Sequence, residues 1–113
     1  MVAKGGSVYI LTNLHNTTLH TGVSSDLYGR VLEHKEKIYS KSFTARYNIN
    51  KLVYFEHFGS IEEAIHREKQ IKAAFRKYKE GLINSINPDW RDLFNTLEQP
   101  CSPALPNMRA SPD

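Results

Sequence analysis

The sequence predicts one small domain of the mixed α/β (α+β) class. Two observations carry that expectation. Apolar-rich runs at residues 7–13, 17–23 and 51–58 have strand chemistry, bounded by polar or glycine punctuation. Between and after them, apolar residues recur at helical spacing over 25–38 and 61–75. A chain of 113 residues can enclose one modest core but not two. At 40% hydrophobic and 24% charged, its composition is globular, which argues against a disordered or membrane chain. No apolar run reaches the length of about 18 residues that a transmembrane helix needs.

Taken in order, residues 1–6 read as an N-terminal extension without the apolar core of a signal peptide. Ser7–Asn13 forms a strand, Leu14–Asn16 a turn, and Thr17–Val23 an antiparallel return. If the turn is tight, Tyr9 and His20 lie opposite each other on one face. Ser24, Ser25 and Asp26 offer N-cap chemistry to the helix that follows. Residues 39–50 are a polar connector that includes Phe43 and Tyr47. Lys51–Phe58 is the strongest strand signal, and Gly59 ends it. Ser60 and Glu63 have capping-box spacing for a second helix. A third, short helix fits Lys77–Ser85. Asn87 as N-cap, with Pro88 in the first turn, then opens a last helix reaching Asn95, whose Trp90 packs it onto the body. The folded body spans 7–97. From Glu98 the chain holds four of its five prolines and no periodicity, so residues 98–113 read as a disordered tail.

Three side chains break this pattern. In the second helix, Ile61, Ala64, Ile65, Ile71 and Phe75 make the apolar stripe, and Glu68 falls inside it. A carboxylate on a buried face is costly unless a cation, metal or hydrogen-bond donor meets it. The alternative is a residue at the rim of the stripe, pairing with Lys72 one turn on. In the first helix, Leu27, Val31 and Ile38 make the stripe; His34 lands in it and Arg30 flanks it. A lone histidine there could be a satisfied core residue. A glutamate, an arginine and a histidine breaking the pattern together point instead to one shared site, if the two helix faces meet over the sheet.

Charge and cysteine narrow the partners. The net charge of +3 says little, but Arg67, Lys69, Lys72, Arg76, Lys77 and Lys79 face Glu68 alone within 67–79. Such a segment beside a site suggests an anionic partner, with phosphate backbones foremost; a solvated helix face is the alternative. Cys101 is the sole cysteine, which excludes an intrachain disulfide and a cysteine zinc site and suits a reducing, cytoplasmic setting.

Ser7-Val8-Tyr9-Ile10-Leu11, then Leu19-His20-Thr21-Gly22-Val23, Arg30 and His34-Lys35, resembles the GIY-YIG nuclease domain. Leu52-Val53-Tyr54-Phe55-Glu56, Ala64-Ile65-His66-Arg67-Glu68 and Asn87-Pro88-Asp89-Trp90 are similar to its small stand-alone bacterial branch. The resemblance covers roughly residues 5–97. It implies a three-stranded antiparallel sheet flanked by helices, and an endonuclease that hydrolyses phosphodiester bonds in nucleic acid, with DNA the first expectation ahead of RNA, using one Mg2+ or Mn2+ ion. It assigns Tyr9 to the attacking water, Arg30 to the scissile phosphate, His34 to proton relay and Glu68 to the metal. Lys35, Lys69, Lys72 and Arg76 would attract the nucleic-acid backbone. Asn87 is a phosphate-side candidate whose capping explanation is complete without that role.

The sequence departs from the family pattern at two places. Ser7 stands where the first motif opens with glycine, and His20 where the second opens with tyrosine. A histidine titrates near 6.5 and a tyrosine near 10, so His20 accepts a proton more readily at neutral pH. The resemblance thus leaves three outcomes: turnover through His20, turnover for which Tyr9 alone suffices, or a catalytically impaired module that still binds nucleic acid.

Overall fold

The computed structural model describes residues 5–36 and 46–97. The sequence expectation of three strands and flanking helices holds. β1 (Gly6–Thr12), β2 (Leu19–Ser24) and β3 (Lys51–Phe58) form one antiparallel sheet in the order β2-β1-β3. Three helices follow the expected places: α1 (Leu27–Glu36), α2 (Ile61–Ala73) and α3 (Arg76–Ile86). The expected tail, the first four residues and most of the polar connector lie outside the described residues.

β1 is the central strand, and its alternation divides the core. Val8 and Ile10 face one side, where they pack with Val53, Tyr54, Ala64, Ile71 and Ile83. Tyr9 and Leu11 face the other, packing with Leu27, Val31, Ile49 and Leu52. Residues two apart on a strand share a face, so each apolar pair of β1 feeds a different layer. A bulge between Ile10 and Leu11 leaves Val53 as an extra residue in β3, which puts Val53 and Tyr54 into the same layer. The layer holding Ala64 and Ile71 of α2 is therefore separated by the sheet from the layer holding Leu27 and Val31 of α1.

Asn13 lengthens the hairpin turn. Its side-chain oxygen accepts the backbone N–H groups of Thr17 (2.8 Å) and Thr18 (3.1 Å), and its own carbonyl accepts from Asn16. Asn16 takes a left-handed φ of 60°, which an asparagine tolerates. Donors that a tight turn would leave to the ladder are used locally. The register consequently pairs Tyr9 with Gly22 and Leu11 with His20. Tyr9 and His20 share a face, as expected, but stand diagonal rather than opposite.

In α2 the Ser60 hydroxyl accepts the Glu63 N–H at 3.2 Å, as the capping spacing suggested. The buried face is Ala64, Glu68 and Ile71, while Ile65 and Phe75 turn outward. Glu68 thus sits in the middle of the stripe and not at its rim. Helix α2 stops at Ala73, and Phe75 belongs to the junction with α3.

The expected last helix is a correction. Asn87 is the C-cap of α3, and Trp90 takes a φ of 55°; only Leu93–Thr96 coils, as a 3-10 turn. Asn87 is 3% exposed and its amide is fully engaged. It donates to the carbonyls of Val53 (3.1 Å) and Arg91 (2.8 Å) and accepts the Arg91 N–H at 3.0 Å. Every side-chain polar atom of Asn87 is used inside the fold, so neither the helix-opening cap nor a nucleic-acid contact describes it. Trp90 donates its indole N–H to Asn84 at 2.7 Å and packs against the α2/α3 layer. Replacing Asn87 by alanine would strand two carbonyls and an N–H, and is expected to cost about 2–3 kcal/mol. Urea unfolding of Asn87→Ala beside the wild type measures this.

Candidate active site

Tyr9, His20 and His34 form a ring triangle on the α1 side of the sheet. The ring centroids are 6.4 Å apart for Tyr9–His20, 6.3 Å for Tyr9–His34 and 5.8 Å for His20–His34. Each comes from a different element. Tyr9 rises from β1, His20 from edge strand β2, and His34 from α1, one turn after Arg30. The register fixes the first two; the helical spacing of Leu27 and Val31, both buried, fixes the roll of α1 that delivers the others.

Tyr9 is 2% exposed, and its phenol lies against Gly22 on the neighbouring strand. A Cβ on Gly22 would sit 2.4 Å from the Tyr9 Cζ and Oη atoms. A ring packed that deeply has nowhere to move, so the glycine is a condition of the tyrosine's position. Sequence reasoning quoted Gly22 as part of a motif but did not single it out. The available signal was a glycine in a strand interior, which marks close approach. The Arg30 guanidinium acts electrostatically on the phenol, and its Nε pairs with Glu33 Oε1 at 3.3 Å.

The electrostatics keep the two imidazoles neutral. Burial lowers His20 from 6.5 to about 4, helped by His34 and Lys72 and opposed by Glu68. Burial also lowers His34, with the Arg30 charge adding to it and Glu33 opposing. For Tyr9, burial raises the phenol above its ordinary 10.0; Arg30 works against this, while Glu33 and Glu68 add to it. Glu68 therefore acts electrostatically on both His20 and Tyr9, although α2 packs on the sheet face opposite α1. The helices do not meet face to face over the sheet; α2 covers β1 and edge strand β2, which brings Glu68 to bear on His20. Its carboxylate is 9% exposed, with Oε2 3.3 Å from Lys72 Nζ.

The remaining basic residues divide. Lys69 and Lys72 are exposed on α2. Lys35 instead donates to Asp92 and to the Asn50 carbonyl at 2.9 Å, and lies 5.2 Å from the Phe94 ring centroid. Arg76 donates to the carbonyls of Thr17 and Asn16, both at 2.8 Å, and pairs with Glu80 at 2.6 Å. These two cations hold the fold's own segments together. Among the described residues no three His, Cys, Asp or Glu side chains converge as a metal cage. A single buried carboxylate fits an ion held mainly by water and phosphate oxygens, which is how magnesium is commonly bound.

Gly22→Ala is expected to expel the Tyr9 ring and lower stability by about 1–3 kcal/mol, the usual cost of overpacking; thermal unfolding with tyrosine near-UV circular dichroism reads both effects. The His20 shift gives a second expectation. Between pH 6.5 and about 4 the unfolded chain binds the proton that folded His20 refuses, so stability falls as pH drops through that window. Melting temperatures of the wild type and His20→Gln across pH 4–7.5 test it, the variant being expected to lose less on acidification.

Comparison with known proteins agrees with this geometry. Residues 5–81 match the GIY-YIG catalytic domain. A UPF0213 protein of Syntrophus aciditrophicus (strain SB) is 35% identical over 82 residues, covering 73% of this chain and 92% of that protein. No solved structure matches the chain. No helix among the described residues is long and apolar enough to cross a membrane. The β1–β2 hairpin, α1 and α2 all lie within the matched span, and the chain belongs to the GIY-YIG catalytic domain family of endonucleases.

Proposed function

We propose that this protein is a divalent-metal-dependent endonuclease that hydrolyses phosphodiester bonds in DNA. The observation that carries the reading is the convergence of Tyr9, His20 and His34, with Arg30 at the phenol and Glu68 acting electrostatically from α2. A planar guanidinium in a fixed place suits two phosphate oxygens at once. Neutral His20 has a free electron pair at pH 7 and can take a proton from water. His34, also held neutral, can pass that proton on or orient the attacking oxygen. Tyr9 cannot ionise at neutral pH and serves as a hydroxyl donor and acceptor that positions the nucleophile. Glu68 would hold one Mg2+ or Mn2+ ion, which when bound supplies positive charge to the phosphate and makes water more acidic. Lys69 and Lys72, exposed beside Glu68, would add backbone attraction without reading sequence.

A second reading rests on one feature. Lowering His20 to about 4 keeps it neutral but makes it a weak base, further from the operating pH than a general base works best. On that reading the chain binds nucleic acid and has lost turnover. Cleavage of labelled single- and double-stranded DNA and RNA, with Mg2+ or Mn2+, separates the two. The nuclease is expected to cut, and Glu68→Ala and Arg30→Ala each to slow it by about 100-fold or more, the scale of losing one transition-state contact. Cleavage unaffected by Glu68→Ala would refute this site. An inert wild type made active by His20→Tyr would establish the binding module, and salt-sensitive affinity without cleavage would support it.

A further inference from the structure

Phe75 is 88% exposed and Leu14 76% exposed, and both belong to one end of the molecule. Arg76 joins them: its guanidinium bonds the Asn16 and Thr17 carbonyls of the β1–β2 loop, while its backbone follows Phe75 at the α2–α3 junction. Phe75 occupies the N-cap of α3 and makes no side-chain capping bond there. A serine or aspartate at that place would satisfy an open N–H of the first turn. An aromatic ring gives up that bond and faces water, so helix formation does not account for it. Its backbone is nevertheless fixed, because the Phe75 carbonyl accepts the N–H groups of Tyr78 (3.0 Å) and Lys79 (3.3 Å).

The surroundings indicate what covers this ring. Lys72 lies three residues before Phe75 and Lys77 two after, both exposed, and Lys69 continues the same basic run. Glu68 lies five residues before the helix ends at Ala73, about 7.5 Å along its axis at 1.5 Å per residue, and Phe75 follows two residues on. An exposed apolar ring in this basic segment, whose Lys72 reaches back to Glu68 at 3.3 Å, matches a nucleic-acid strand: phosphates for the lysines and a base for the ring. A paired base has its faces covered by its neighbours; an unpaired one does not. We propose that Phe75 is a stacking platform for an unpaired base of the DNA strand next to the Glu68 end of the site. The inference deepens the nuclease reading, but its test does not require cutting.

Binding is measured with Glu68→Ala protein and short DNA strands carrying one 2-aminopurine, either unpaired or within a duplex. Unpaired 2-aminopurine near the site is expected to lose fluorescence on binding. Adding Phe75→Ala should remove this quench and weaken binding of the unpaired strand by roughly ten-fold, the scale of one lost base–aromatic stack. Phe75→Trp should restore both. Equal quench and affinity after Phe75→Ala would overturn the platform. So would a self-association that Phe75→Ala abolishes while DNA binding is unchanged, since a second copy would then be the occupant. A wild type that never cuts but shows the Phe75-dependent quench would sink the nuclease reading and leave the platform standing; failure to bind either DNA would sink both.

Discussion

β1 is covered on both faces and hydrogen-bonded on both edges, and the rest of the molecule is arranged around that constraint. A strand in this position has no solvent side on which to put a polar residue without consequence. Val8, Ile10 and Leu11 meet the requirement in the ordinary way, by being apolar. Tyr9 meets it with a large ring and carries a hydroxyl into the interior. Burial raises its pKa, and the Arg30 charge on α1 offsets part of that. Its ring needs room, and Gly22 leaves it. Two features of the candidate site therefore follow from one buried phenol.

The same burial sets the charge state of the site. Two imidazoles and a guanidinium share a small volume, and protonating either imidazole would add like charge in a place poor in water. Glu68 and Glu33 oppose this only in part. The result is a cluster bordered by the cations Arg30 and Lys72, with bases held in the proton-accepting form. A phenol and a neutral imidazole can each donate and accept a hydrogen bond at pH 7, but the imidazole nitrogen is the more basic acceptor, so the histidine favours taking up a proton at this place.

Much of this was legible because periodicity exposes misfits. Glu68, Arg30 and His34 stood out against apolar stripes that the structure retains at Ala64, Ile71, Leu27 and Val31. What failed did so through local chemistry that periodicity does not register. The Tyr9–His20 offset depends on one asparagine oxygen accepting two backbone N–H groups. Asn87 carries the residue type of a cap or a phosphate ligand, and only tertiary packing commits it to Val53 and Arg91. Lys35 and Arg76 read as free cations because charge runs are usually solvated; their acceptors, Asp92 and the Asn16 and Thr17 carbonyls, are distant in sequence. Phe75 fitted the helical stripe, but the helix ends two residues before it.

The layer behind Tyr9 reaches further along the chain than the family match does. The match ends at residue 81, but Leu93, Phe94 and Leu97 pack against the cluster that seats the tyrosine. Asp92 fastens this segment, taking Lys35 from α1 and accepting the N–H groups of Leu52 and Phe94. The unit that must be inherited, cut out or grafted together is therefore longer than the region recognisable by motif. A fragment stopping at 81 would keep every residue of the candidate chemistry and lose part of the wall that holds the first of them in place.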